Sequence, residues 1–392
     1  MAGRVVVTGA GVISPIGAGL QTFEQALYHG DAGVRTSARF AGRPVAEIPD
    51  FDPAPWLGNK GVRVLDRGAR LLCVAAQMAL GDIEGPEIGL VCGTMFGSMH
   101  SIVEFDWTGV TEGPSYVNPM QFPNTVINSA SGQAAIRYKL RGLNSTVCAG
   151  TASGLFAIHY AAECLRLGRA QMLLAGGAEE LCDESLLGFR ETGAESPTGE
   201  PRPFGAERDG AVAGEGAALW VVETEESAHA RNAIPWFEIC GFGARQSARG
   251  IQDFTGGVED ASEAMGEALL MSQISQSQIG CVVASASGSR LGDAMEARAL
   301  RNVFGDAIER MPVCAPKGAL GESLGAGGAF AAMTAGLALS RRQLAPTAGS
   351  GTADYGVRIS REPQPVDGEY ALVNAFSCDG NSAALVIRQW KN

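Results

Sequence analysis

The chain is poor in histidine. It has four, His29, His100, His159 and His229, and none follows residue 229. The histidines and the nine cysteines show no metal-ligand spacing, and no Cys-X-X-Cys pair occurs, which predicts no zinc centre. The cysteines are odd in number, scattered and mostly set in apolar runs, as expected of reduced, buried thiols in a cytoplasmic protein. No apolar run approaches the roughly 18 residues of a membrane-spanning helix. The N-terminus enters Val5-Val6-Val7 at once, without the charged, apolar and cleavable regions of a signal peptide. Positive charge is also short: 30 Lys and Arg stand against 42 Asp and Glu, a net −12 that disfavours nucleic acid and anionic membranes as partners.

What is present reads as a soluble globular chain, with 46% hydrophobic and 18% charged residues. Its 392 residues are long for one simple core and suggest two similar lobes or a duplication. Internal similarity supports duplication. Ile88-Gly89-Leu90-Val91-Cys92-Gly93 runs into a glycine-rich turn, as does Ile279-Gly280-Cys281-Val282-Val283-Ala284. Ala152-Ser153-Gly154-Leu155-Phe156-Ala157 opens a helix, as does Ala326-Gly327-Gly328-Ala329-Phe330-Ala331. In both helices apolar residues recur at helical spacing and an arginine closes the last turn. Strands are expected at residues 4–8, 172–175, 217–223, 236–241 and 383–388, mixed with helices throughout, which argues α/β layers. Residues 191–216, dense in Gly, Pro and charge, read as a long loop near the boundary of the halves. Gly9-Ala10-Gly11 after the first strand does not make a dinucleotide site, because Ser14 stands at the third glycine and Pro15 follows.

The most telling segment is Cys148-Ala149-Gly150-Thr151-Ala152-Ser153-Gly154, ahead of a helix and of Ala175-Gly176-Gly177-Ala178-Glu179. A strand, a sharp turn and a helix place residue 151 near a helix N-terminus, where the dipole favours a thiolate or an oxyanion. This segment resembles the β-ketoacyl synthases, and the resemblance runs nearly the whole chain. It includes Val5-Val6-Val7-Thr8-Gly9-Ala10-Gly11, Pro123-Asn124-Thr125, Arg202-Pro203-Phe204, Glu207-Arg208-Asp209-Gly210, Gly214-Glu215-Gly216, Pro316-Lys317-Gly318, Gly325-Ala326-Gly327-Gly328 and Asn374-Ala375-Phe376, in order. It implies an α/β, thiolase-like, duplicated layered α/β/α/β/α sandwich, with an N-terminal half over 1–230 and a C-terminal half over 231–392.

The resemblance also implies a site that this chain lacks. Active members attack an acyl thioester with a cysteine, and two histidines assist decarboxylation and stabilise the oxyanion. Here Thr151 falls at the nucleophile, Ser285 (Ser287 in a shifted register) at the first histidine and Glu322 at the second, while Lys317 matches the family lysine. The gate phenylalanine is replaced by Cys378 within Ser377-Cys378-Asp379-Gly380-Asn381. The family histidines belong to the second half, where this chain has none. Cys148 is expected to be a buried structural thiol, and His159 a core or interface residue. The implied role is that of a chain-length factor, a silent subunit that pairs with an active ketosynthase and shapes the tunnel for a polyketide or polyene chain. Such factors in aromatic systems carry glutamine where Thr151 stands, so a nonaromatic pathway fits equally. Ile102, Phe105 and Trp107 are expected to line the tunnel, and Asn124, Asn128 and Gln133 to bond across the interface. No cofactor is implied. The substrate rides on the phosphopantetheine of an acyl carrier protein that docks mainly on the partner. The alternative is an active synthase or acyltransferase with a relocated nucleophile such as Cys148.

Overall fold

The computed structural model describes residues 3–391 except Pro86, Arg249, Gln252 and Thr255. The main strands are β1 (Val5–Ser14), β2 (Gly89–Gly93), β3 (Asn144–Val147), β4 (Met172–Glu179), β5 (Gly216–Thr224), β6 (Phe237–Gln246), β7 (Ile279–Val283), β8 (Val313–Cys314), β9 (Tyr370–Phe376) and β10 (Asn381–Gln389). The main helices are α1 (Leu20–His29), α2 (Arg67–Leu80), α3 (Met99–Thr111), α4 (Ser129–Tyr138), α5 (Ser153–Arg166), α6 (Asp183–Glu191), α7 (Gly257–Met271), α8 (Arg290–Phe304) and α9 (Gly327–Arg341).

The strand order is β8-β7-β9-β10-β6-β1-β5-β4-β2-β3, which reads the same way from either end once the halves are superposed. In the first half β2 is parallel to β3 and β4, and β5 is antiparallel to both β4 and β1. In the second half β7 is parallel to β8 and β9, and β10 is antiparallel to both β9 and β6. The halves join where Val6 and Val7 of β1 pair with Glu238 and Phe237 of β6.

Period-2 alternation separates the layers. On β5, Ala218, Trp220 and Val222 face the cluster that holds α5 and α9, while Ala217, Leu219 and Val221 face α2. On β10, Ala383, Leu385 and Ile387 face the central cluster, while Ala384 and Val386 face α7 and α8. The result is α/β/α/β/α, as the sequence implied. α9 is buried over residues 327–339, and its Gly and Ala content lets it run between the halves of the sheet. The two central helices meet at their N-termini almost backbone to backbone. A Cβ on Gly154 would come within 2.8 Å of Ala329 N, and one on Gly328 within 2.9 Å of Leu155 N. Glycine is required at this crossing, and it brings the turn before α5 beside the turn before α9. Residues 192–215 hold no helix or strand, as their composition suggested.

Candidate functional site

The turns that lead into α5 and α9 line a cavity of ≈ 170 Å³, roughly the size that admits a benzene-sized apolar group. Thr151, Ser285, Lys317, Glu322 and Cys378 all line it, with Met95, Phe96, Phe189, Phe254 and Phe376 among the apolar walls. Positions up to 227 residues apart in sequence therefore converge, and no histidine lines the cavity.

The hydrogen bonds show what these replacements do. Thr151 precedes α5 by two residues, after Gly150 in the left-handed region (φ 57°). The Thr151 hydroxyl donates to the Phe376 carbonyl (3.3 Å), and its N–H donates to Ser377 Oγ (3.0 Å). Ser285 Oγ accepts from Phe376 N (2.9 Å) and also lies 3.3 Å from the Phe376 carbonyl. The alcohol at the nucleophile position thus points its proton at a carbonyl, with no histidine among the lining residues to take it. The N–H beside it, the natural donor to a developing oxyanion, is committed to a serine.

Charge is arranged against an anion. Lys317 Nζ bonds Glu322 Oε2 at 2.6 Å and reaches Ser285 Oγ at 3.4 Å. Glu322 also accepts from Leu324 N (3.1 Å), so its carboxylate ties the lysine to the turn that leads into α9. The Asp379 carboxylate lies over Gly150, where a Cβ would meet its oxygens at 2.5 and 2.7 Å. Its Oδ1 accepts from Asn381 Nδ2 at 3.1 Å. A negative tetrahedral oxygen formed at Thr151 would face this carboxylate at close range. Burial, with Glu322 and Asp379 adding to it, pushes the Cys378 thiol up to about 11, so it is no thiolate near neutrality.

Two further acids line the cavity that the sequence reading did not single out. Asp293 accepts from Phe204 N, Ser287 N and Gly288 N (2.8–3.1 Å), and burial pushes it up to about 6 against those donors. Glu296 accepts from Ser285 N and Asn374 Nδ2, and burial pushes it up to about 7. Their i, i+3 spacing on the amphipathic α8 was the available signal: both fall on its buried face.

Cys148 departs from expectation. It is exposed, because β3 is an edge strand and its end has no neighbour to pack against. Its Sγ lies 3.1 Å from the Thr94 carbonyl, and partial burial followed by Glu179 raises its pKa, so no activated thiolate is present. Nor do Ile102, Phe105 and Trp107 line the cavity. They lie on α3, which has no buried residue. Phe105 packs on Phe122 (centroids 6.1 Å apart), and Trp107 is 68% exposed. Asn124 makes its bonds within the chain, to the Val64 carbonyl and Ser129 Oγ. His159 stacks on Phe242 with ring centroids 4.0 Å apart, and burial lowers its pKa. Among the described residues no cluster of His, Cys, Asp and Glu is arranged to hold a metal ion, and no helix is long and apolar enough to cross a membrane.

Comparison with known proteins places these features. The family described as "Beta-ketoacyl synthase, N-terminal domain" matches residues 2–228, and "Beta-ketoacyl synthase, C-terminal domain" matches residues 236–350. Curated relatives include the 3-oxoacyl-[acyl-carrier-protein] synthase 2 of Rhizobium meliloti (strain 1021), 31% identical with 99% of each chain covered. That of Coxiella burnetii (strain RSA 493 / Nine Mile phase I) is also 31% identical, covering 98% of each. Among solved structures, the ishigamide ketosynthase/chain length factor superposes over 100% of both chains with a TM-score of 0.92 at 27% identity. A type II PKS acyl-carrier protein in complex with its ketosynthase bound to the hexaketide gives 0.89 at 25% identity, again over 100% of both chains.

Proposed function

We propose, from the premise that the chain belongs to the β-ketoacyl synthase family, that it is a chain-length factor. It performs no condensation itself and pairs with an active ketosynthase subunit to shape the tunnel that holds a growing polyketide or polyene chain. The observation that carries this reading is the hydrogen-bond closure of the site. The Thr151 hydroxyl and N–H are both committed to the Phe376–Ser377 backbone and side chain, and Lys317 is held by Glu322. A site that had merely lost its cysteine would keep a base and an open oxyanion donor.

A second feature supports the pairing. The surface over α3, α4 and residues 112–128 exposes Trp107, Val110, Tyr116, Met120, Phe122 and Ile136. So broad an apolar area is costly on a protein that works alone. It lies beside β3, the terminal strand of the sheet, whose unpaired outer side suits a partner strand. Ile102, Phe105 and Trp107 belong to this face. As tunnel residues they act at the junction of the two subunits rather than inside this chain's cavity. The acyl substrate arrives on the phosphopantetheine of a carrier protein that docks mainly on the active partner, and no other cofactor is involved.

The relatives named as 3-oxoacyl synthases favour a second reading, an active synthase with a relocated nucleophile. The raised pKa of Cys148 and the absence of a neighbouring histidine weigh against it. The test is to purify the chain alone and after co-expression with a cysteine-bearing relative, then assay malonyl decarboxylation and condensation. Activity only in the heterodimer is expected. Condensation by the pure chain, with an acyl group trapped on Cys148, would overturn the proposal.

A further inference from the structure

β4 ends at Glu179, and a second acid, Glu180, follows it directly; they are 2% and 4% exposed. The two carboxylates have separate partners. Glu179 accepts from Thr94 Oγ1 (3.1 Å), Met95 N (2.6 Å), Phe96 N (3.1 Å) and Gly325 N (3.0 Å). It therefore fastens the turn between β2 and α3 to the turn before α9, and Met95, Phe96 and Leu324 from these turns line the cavity. Glu180 accepts from Gly68 N (3.1 Å) and His100 N (3.2 Å).

Gly68 and His100 are each the second residue of a helix, α2 and α3. One carboxylate just beyond the end of β4 thus caps two helix N-termini at once. α2 also has its own cap in Asp66, but α3 has none, since the Ser98 side chain caps nothing. The start of α3 depends on Glu180. Its other tether is the side-chain pair of His100 with Glu184 of α6 (3.2 Å), which is solvent-exposed and weak.

We propose that Glu179 and Glu180 are positioning residues that hold the cavity wall and α3 as one unit, so that the apolar face of α3 is presented to the partner in a fixed orientation. The inference rests on the reading of that face given above. It adds the residues, in contact with neither substrate nor partner, that set the geometry of the contact. Both ends of the device converge on one small space: Glu179, Glu180, Thr94, Gly97 and Ile127 line a cavity of ≈ 10 Å³ between the α3–α4 surface and the core.

The test is hydrogen exchange by mass spectrometry on the full chain, comparing Glu180→Gln, Glu180→Ala and Glu184→Ala with the parent. Glu180→Ala removes a charge-assisted bond at an otherwise uncapped helix end, so exchange over residues 99–104 is expected to rise about tenfold or more. Exchange in α5 and β4 should stay unchanged. Glu180→Gln keeps one acceptor oxygen and presents an amide N–H₂ to the other helix, so it should loosen one of the two helix starts and spare the other. Glu184→Ala should change 99–104 by less than about twofold. Unchanged protection of 99–104 in Glu180→Ala, or equal loosening of every element, would overturn the inference. In the co-expressed heterodimer Glu180→Ala is expected to dissociate about tenfold faster, and an unchanged rate also counts against it. Failure of the parent chain to form any heterodimer would instead overturn the proposed function, leaving the exchange result to stand by itself.

Discussion

Glu322 should be worth more to this chain than a histidine at the same place, because it compensates a lysine that the site has kept. The Lys317 and Glu322 side chains are 8% and 10% exposed, and their charged atoms are 2.6 Å apart. Glu322→Ala leaves the ammonium with only Ser285 Oγ at 3.4 Å and removes the acceptor of Leu324 N. An uncompensated buried charge costs about 3–5 kcal/mol. With about 2.1 cal/mol/K of unfolding entropy per residue, 392 residues give about 0.8 kcal/mol/K. The expected fall in Tm is therefore about 4–6 °C. Lys317→Met with Glu322→Leu removes both charges at similar volume, which is commonly neutral or stabilising, so the double variant should return to within about 2 °C of the parent or exceed it. Scanning calorimetry on the isolated chain decides. A fall below about 1 °C for Glu322→Ala, or a double variant that loses the sum of the two single losses, would refute the claim that this pair is a closed internal unit.

Other outcomes follow from the same geometry. Thr151→Cys should provide a thiol that alkylates slowly and supports no condensation by the isolated chain, since Asp379 and the committed N–H remain; turnover at the rate of an active synthase would refute this. Stability should decline as pH rises from about 4.5 to 7. Glu179, Glu180 and Glu296 are raised to about 7 and Asp293 to about 6 by burial. The folded state therefore binds more protons than the unfolded one across that window, and urea midpoints at pH 5.5 and 8.0 should differ in that sense. Trp107→Ala should leave the isolated chain's Tm within about 1 °C, because the side chain is 68% exposed, yet weaken heterodimer affinity about tenfold or more, measurable by calorimetric titration. Cys148 is the exposed cysteine among nine. It should be the first to take up iodoacetamide, and peptide mapping should find it protected once the partner is bound.

The sequence made the layered fold legible through two short repeats. Both copies of the strand-to-turn segment and both copies of the Gly/Ala helix became corresponding elements of the two halves. Motif order also brought Thr151, Ser285, Lys317, Glu322 and Cys378 to one cavity. What escaped was everything set by the third dimension. Cys148 looked buried because its sequence neighbours are apolar, but a strand at a sheet's end has one side without packing. The bulky residues of α3 were expected to line a tunnel, and the sequence could not tell that their helix stands outside the core of the single chain. Asp293 and Glu296 showed only a shared helix face, Glu179 only its place in a motif, and Glu180 stood out in no way. Their roles come from the backbone N–H groups that other segments aim at them, and spacing along one element does not show which groups those are.

The two ends of the sheet differ in a way that limits growth. β8, at one end, is two residues long, and its outer side is already used: Val313 N donates to the Arg358 carbonyl and Gln364 Nε2 donates to the Val313 carbonyl. β3, at the other end, is four residues long and among the described residues has no further strand beside it. A molecule with two adhesive edges adds units indefinitely and makes a filament. With the outer side of β8 used and that of β3 open, the sheet offers one end for the proposed pairing. The end of the sheet at β3 is therefore where the proposed pairing with a ketosynthase subunit would add its strand, before any side chain chooses which subunit that is.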